Sequence, residues 1–131
     1  MKRCKYLDDL GLKVNQYGTN FVSDYHDCRA SSWFKEREEY GFDNRETWNL
    51  DRIFVEWIYT RLMMYKEYAN IDMNYHKVLY KDEEMTQEQI INRILEISKE
   101  ALLSYPDEEL WYENIKEICD LWKEILPFMW W

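Results

Sequence analysis

The stretch 41–70, GFDNRETWNLDRIFVEWIYTRLMMYKEYAN, decides the fold class. Asp43 and Glu46 have the spacing of a capping box, and Gly41-Phe42 just before them is a natural break. Neither Gly nor Pro follows until Pro106, so nothing local ends a helix early. The spacing predicts one long helix over about 44–69. On its helical projection Trp48, Val55, Ile58, Tyr59, Leu62, Tyr65 and Ala69 share one side. Leu50, Ile53, Phe54, Trp57, Met64 and Tyr68 widen that face beyond half the circumference. Arg45, Asn49, Arg52, Glu56 and Glu67 form a narrow polar strip opposite. A helix so broadly apolar is covered by several neighbours, which makes this the central element of the chain.

Two charges interrupt the apolar face. Asp51 falls among Thr47, Trp48, Phe54, Val55 and Ile58, and Arg61 among Trp57, Ile58, Met64, Tyr65 and Tyr68. They stand roughly 15 Å apart along a helix, too far to pair with each other. A lone buried carboxylate costs several kcal/mol, so each charge needs a partner from another segment. Glu46, Asp51 and Arg61 are therefore expected to form a buried polar network. One reading has Asp51 tying down an Arg, a Trp N–H or backbone amides. The other makes it a functional carboxylate in a pocket.

A length of 131 residues fits a single helical domain over 1–131. The chain is 47% hydrophobic and 33% charged with three Gly and two Pro, which favours long helices over a turn-rich β fold. The expected architecture is all-α: a bundle of about four helices around the central one. Residues 1–30 read as an irregular arm, 31–126 as the helical core and 127–131 as an apolar tail. Aromatic residues make up 18%, seven of them Trp and eleven Tyr, more than a small core needs. Either they fill a thin helical core, or part of them lies on a partner surface.

The net charge of −9 is uneven. Residues 1–43 carry seven basic and eight acidic groups, 44–85 six and eight, and 86–131 four and ten. Direct nucleic-acid binding is disfavoured, since it needs a basic stripe. An acidic face instead attracts a basic partner, such as the nucleic-acid groove of a nuclease, or serves solubility alone. Cys4, Cys28 and Cys119 show no CxxC spacing, and an odd count fits reduced thiols in a cytoplasm. Lys2, Arg3 and Lys5 imitate a signal-peptide start, but Asp8 and Asp9 interrupt any apolar region after them. No apolar run is long enough to span a membrane, and no membrane association is expected.

Along the chain, Tyr6, Leu7 and Leu10 have short helical spacing ended by Gly11. Leu12 to Val22 fits a small hairpin or an irregular arm. Asp27, Ser31 or Ser32 caps a short helix, Ala30 to Tyr40, that stops at Gly41. A polar connection over 72–85 holds at most one helical turn, and Asp82-Glu83-Glu84 reads as solvated loop. Thr86 and Gln89 form a second capping box, with Ile90, Ile91, Ile94, Ile97, Ser98, Ala101 and Leu102 as the apolar stripe. Tyr105-Pro106 ends that helix, and Asp107 caps the last one, with Glu108 and Glu109 in its first turn. Leu110, Trp111, Ile115, Ile118, Cys119, Trp122, Ile125 and Leu126 are its expected buried face, and Pro127 stops it. The short connection makes the two an antiparallel hairpin. Phe128-Met129-Trp130-Trp131 either closes one end of the core or inserts into a partner or a second copy.

No constellation for catalysis emerges. Asp24, His26 and Cys28 look superficially like metal ligands, but nothing supplies a second pair. There is no Glu-x-x-His pair for a di-iron bundle, no P-loop, no GxGxxG and no GxSxG. Asp51 and Glu46 with His76 as base match no recognised arrangement. No cofactor or metal is expected.

One stretch resembles something known. Gly41-Phe42-Asp43-x-x-Glu46-Thr47-Trp48-Asn49-Leu50-Asp51, with Trp57-Ile58 and Arg61-Leu62 after it, is similar to a motif in small proteins encoded by bacteriophages and prophages. The resemblance covers about 30 of the 131 residues. It implies a phage accessory gene acting in a bacterial cytoplasm and carries no catalytic residues with it. The expected function is non-enzymatic: binding to a host protein, as an anti-defence, anti-CRISPR-like inhibitor. The acidic surface of Glu108, Glu109, Glu113 and Glu117 with exposed aromatics would make the contact. The alternative is a structural or regulatory phage protein that self-associates as a homo-oligomer through Trp130 and Trp131. A small enzyme or ligand binder centred on Asp51 is the third reading.

Overall fold

The computed structural model describes residues 4–12, 28–69, 71, 76–105 and 107–129. It is mostly α-helical, as expected, with one small two-stranded sheet. The chain divides into two compact units, Met1–Trp57 and Ile58–Trp131, and the division falls inside its longest helix.

The first unit opens with α1, Lys5–Asp9, which buries Tyr6 and Leu7. Helix α2, Ala30–Tyr40, has the bounds that the sequence predicts. Gly41 ends it at φ 83 and donates its amide to the Arg37 carbonyl at 3.0 Å. That left-handed conformation suits glycine and is strained for other residues. At the other end Arg29 is the N-cap residue, and Ser31 and Ser32 lie exposed inside the helix. Asp27 and the rest of 13–27 lie outside the described residues.

The central helix starts later than expected. Asn44–Thr47 form a 3-10 turn, and α3 proper runs Leu50–Tyr68. The Asp43–Glu46 capping box does not form, because the Asp43 carboxylate accepts from the Arg45 amide at 3.0 Å instead. A bond two residues ahead closes a tighter turn than an α-helical start.

The buried face of α3 also differs from the projection. Val55, Ile58, Tyr59 and Leu62 are buried as expected, but so are Arg52, Glu56 and Thr60. Trp57, Met64 and Tyr68, expected inside, are 41%, 52% and 61% exposed. Arg52 and Glu56 make this arrangement tolerable. They pair one helical turn apart at 3.1 Å, so the strip enters the interior as a neutralised pair.

In the second unit, residues 77–86 form a β-hairpin in place of the expected solvated loop. Strand β1, Lys77–Tyr80, pairs antiparallel with β2, Glu83–Thr86, placing Val78 opposite Met85 and Tyr80 opposite Glu83. Lys81 and Asp82 join them at φ 49 and 63, a two-residue turn of the type that matches strand twist.

Helices α4, Gln87–Ser104, and α5, Glu108–Ile125, pack on each other as the expected hairpin. The Thr86–Gln89 capping box is complete, and Asp107 caps α5 through the Leu110 amide. Every residue of the predicted α4 stripe is buried. The α5 face is partly different: Asn114 and Leu121 are inside, while Cys119 and Leu126 are exposed. Ser98 Oγ and Asn114 Nδ2 are buried without a hydrogen-bond partner among the described residues. Leu126–Phe128 add a final 3-10 turn, and Gln87 Nε2 donates to the Phe128 carbonyl at 3.3 Å.

Replacing Lys81 with Asn and Asp82 with Gly is expected to stabilise the protein by about 0.5–1 kcal/mol, because Asn-Gly adopts positive φ at lower cost. Urea unfolding with an unchanged m-value is the measurement. A drop in midpoint would contradict the turn assignment.

Candidate functional site

Among the described residues a densely bonded cluster lies in the first unit, between α2 and the 3-10 turn. Asp43 is 1% exposed and Arg45 1% exposed. Arg45 donates Nε to Asp43 Oδ1 at 2.9 Å and Nη2 to Oδ2 at 2.8 Å, a bidentate fork. Arg37 Nε donates to the same Oδ2 at 2.7 Å. One buried carboxylate thus serves two guanidinium groups and a backbone amide.

The cluster extends outward by stacking and side-chain bonds. The Arg45 guanidinium lies 4.0 Å from the centre of the Trp33 ring, and Trp33 Nε1 donates to Asn44 Oδ1 at 3.1 Å. The Arg29 guanidinium lies 4.9 Å from the Trp33 ring and 5.7 Å from the Trp48 ring. Glu36 accepts the Asn44 amide at 2.7 Å, and Glu46 meets Arg37 Nη2 at 3.5 Å. Much of the stretch 41–48 therefore builds this turn. Gly41 supplies the bend, Asp43 the ion pairs, Glu46 a contact to Arg37, and Trp48 a contact to Arg29.

Burial alone would raise the Asp43 pKa. The hydrogen bonds from the Arg45 side chain and amide, with the charges of Arg37 and Arg45, outweigh it and hold the carboxyl below its ordinary 3.8. The arrangement keeps Asp43 ionised and fully occupied, which suits an anchor rather than a general base.

The expected network of Glu46, Asp51 and Arg61 is not what the structure assembles. Glu46 is half-buried against Arg37. Asp51 is exposed in the first turn of α3, where a carboxylate favours the helix dipole. Arg61 is exposed and donates to Thr60 Oγ1 at 2.9 Å. The projection missed the cluster of buried Asp43 and Arg45 with half-buried Arg37 against them. The signal was present in Asp43-x-Arg45, whose spacing lets a guanidinium fold back on the carboxylate.

Elsewhere the groups that could carry chemistry are scattered. In the second unit Arg61, Met64, Tyr65 and Tyr68 line an open groove of about 540 Å³. Burial pushes the Tyr65 hydroxyl pKa upward, against the effect of its hydrogen bond with Gln87. No group of three or more His, Cys, Asp or Glu among the described residues is placed to hold a metal. Asp24 and His26 lie outside those residues; His76 stacks on Phe128 at 3.9 Å. No described helix is long and apolar enough to cross a membrane.

The remaining predicted contact residues sit on α5 or beyond it. Glu108, Glu109 and Glu113 are exposed. Glu117 is half-buried and accepts from Arg93 of α4 at 3.3 Å. Leu103, Tyr105 and Tyr112, in or beside the same hairpin turn, are 52%, 43% and 58% exposed. Trp130 and Trp131 lie outside the described residues.

Removing one partner of a buried, hydrogen-bonded charge pair costs about 3–5 kcal/mol, and Arg45→Ala is expected to fall in that range by chemical denaturation. Asp43 also carries a pH signature. Its folded-state pKa is lowered, so its stabilisation is complete above 3.8 and disappears as pH falls through the lower folded value. Asp43→Asn should be less stable at neutral pH and should lose that part of the acid slope. If the Asp43→Asn protein kept the parent's slope below pH 3.8, Asp43 would be removed as its source.

No protein-family model, no curated protein and no solved structure matches this chain.

Proposed function

We propose that this chain is a non-enzymatic, phage-type accessory protein that acts by binding another protein, as an inhibitor of a host defence enzyme. A nuclease with a basic nucleic-acid groove is the partner that best fits its charge. The observation that carries this reading is the turn end of the α4–α5 hairpin. Tyr112 is 58% exposed and Leu103 52% exposed, beside exposed Glu108, Glu109 and Glu113. Aromatic area supplies affinity once water is excluded, and carboxylates around it speed encounter with a basic surface. The segment 86–131 supports this with ten acidic and four basic groups.

The phage context rests on the resemblance of 41–51 and of the Trp57 and Arg61 pairs after it. The non-enzymatic reading is supported by the placement of the carboxylates. Asp43 is consumed by Arg45 and Arg37, and Asp51 stands on an exposed surface.

The test is a pull-down from bacterial lysate at low and high salt, with the parent and with Glu108→Lys/Glu109→Lys/Glu113→Lys. A defined partner should be held at low salt, released at high salt, and weakened about tenfold or more by charge reversal. A partner held equally by both proteins at both salts would sink the acidic-surface mechanism. The hairpin should survive the substitutions, since all three side chains are exposed and only Glu108 and Glu109 lie in the first turn, where each carboxylate contributes about 0.3–1 kcal/mol.

A further inference from the structure

The open groove of the second unit is built by the last two turns of α3. Arg61, Met64, Tyr65 and Tyr68 line it together. Their spacing puts all four on one stripe of the helix. Ile58, Tyr59 and Leu62 bury another face of the same helix. Met64 and Tyr68 are 52% and 61% exposed, Arg61 is exposed and Tyr65 is half-buried. The core is thus served by one face, and the stripe stays largely in water.

The helix beneath the stripe is tied to its neighbour. Lys66 donates to Asn92 of α4 at 2.7 Å, and the Tyr65 hydroxyl is hydrogen-bonded with Gln87, the first residue of α4. A surface carried on a fixed helix loses little freedom on binding.

The stripe is polarised. Arg61 is its cation at one end, the Tyr68 ring closes the other, and Met64 and Tyr65 lie between. A guanidinium stacks its face on an aromatic ring while its edge still donates, and Arg61 Nη1 donates to Thr60 Oγ1 at 2.9 Å. Turned end for end, the stripe matches itself. In an antiparallel pair of helices centred between 64 and 65, Arg61 of each copy is level with Tyr68 of the other. In a parallel pair, Arg61 would meet Arg61. A surface complementary to itself in this way is what a two-fold contact requires.

We infer that this groove receives the same helix of a second copy of the chain, giving a two-fold, antiparallel α3–α3 dimer. Each Arg61 lies over the Tyr68 ring of the other copy, and the Met64 and Tyr65 side chains fill the centre. The contact uses no residue of the α4–α5 turn and does not rest on the proposed inhibition of a host enzyme.

Sedimentation equilibrium of the full chain, from micromolar to near-millimolar concentration, is the experiment. A reversible dimer is expected, and it should not weaken as salt rises, because two copies of net charge −9 repel each other. Tyr68→Arg sets guanidinium against guanidinium and should weaken dimerisation about tenfold or more. Arg61→Tyr/Tyr68→Arg restores the pairing with the ends exchanged and should recover the dimer. The melting temperature of the dilute protein should hold in both variants, because both side chains are exposed. Trp130→Ala/Trp131→Ala should dimerise like the parent, which separates this contact from self-association through those tryptophans. Four results would overturn the inference: a monomer at every concentration, unchanged dimerisation in Tyr68→Arg, a double variant no better than Tyr68→Arg, or loss of the dimer in Trp130→Ala/Trp131→Ala.

Discussion

The Asp43 carboxylate, held between Arg45 and Arg37, is the contact on which the first unit depends. It determines three things in succession. It takes the Arg45 amide, so the chain enters a 3-10 turn instead of an α-helical start. It leaves Glu46 without the Asp43 amide as its role, and Glu46 turns to Arg37. It also places Arg45 under Trp33, which is 2% exposed, so a buried guanidinium gains an aromatic face as well as a counter-ion. A buried pair of this kind adds little net stability over an apolar substitute, yet breaking it is expensive. Its contribution is therefore to fix one geometry for the turn.

The α4–α5 hairpin was legible because every local signal agreed. Caps, first-turn acids, a regular isoleucine stripe and a proline stop all point to the same boundaries, and consistency of that kind leaves few alternatives. α2 was legible for the same reason, through Gly41. The face of α3 was not. Apolar residues cover more than half of its circumference, and periodicity then fixes which residues are neighbours but not which half turns inward. The Arg52–Glu56 pair decides it by making a charged strip cheap to bury. That pair sits at ordinary helical spacing and looks the same in sequence whether exposed or buried.

The β-hairpin was hidden for a different reason. A two-residue turn with positive φ normally announces itself with Asn-Gly or Asp-Gly, and here Lys81-Asp82 occupies it. The strands are short and half-exposed, and β2 carries two glutamates. Neither propensity nor alternation marks them strongly, so pairing in the folded unit overrides the local signal. The candidate site was half legible. The 41–51 stretch stood out as distinctive, but the projection assigned its importance to Asp51, whereas the structure assigns it to Asp43.

Folding accounts for some of the acidic surface and not the rest. Asp107 caps α5, and Glu108 and Glu109 occupy its first turn, where the helix dipole favours them. Glu117 holds α4 to α5 through Arg93. Glu113 lies beyond the first turn, and no ion pair holds it among the described residues. Tyr112 keeps more than half of its surface in water beside it. In the first unit Tyr40 and Phe42 are also 62% and 47% exposed, on either side of Gly41. The helix caps, the dipole and the buried ion pair explain the scaffold. The exposed aromatic and acidic side chains at the α4–α5 turn are what packing leaves over, and that is why the proposed contact with a basic partner is placed there.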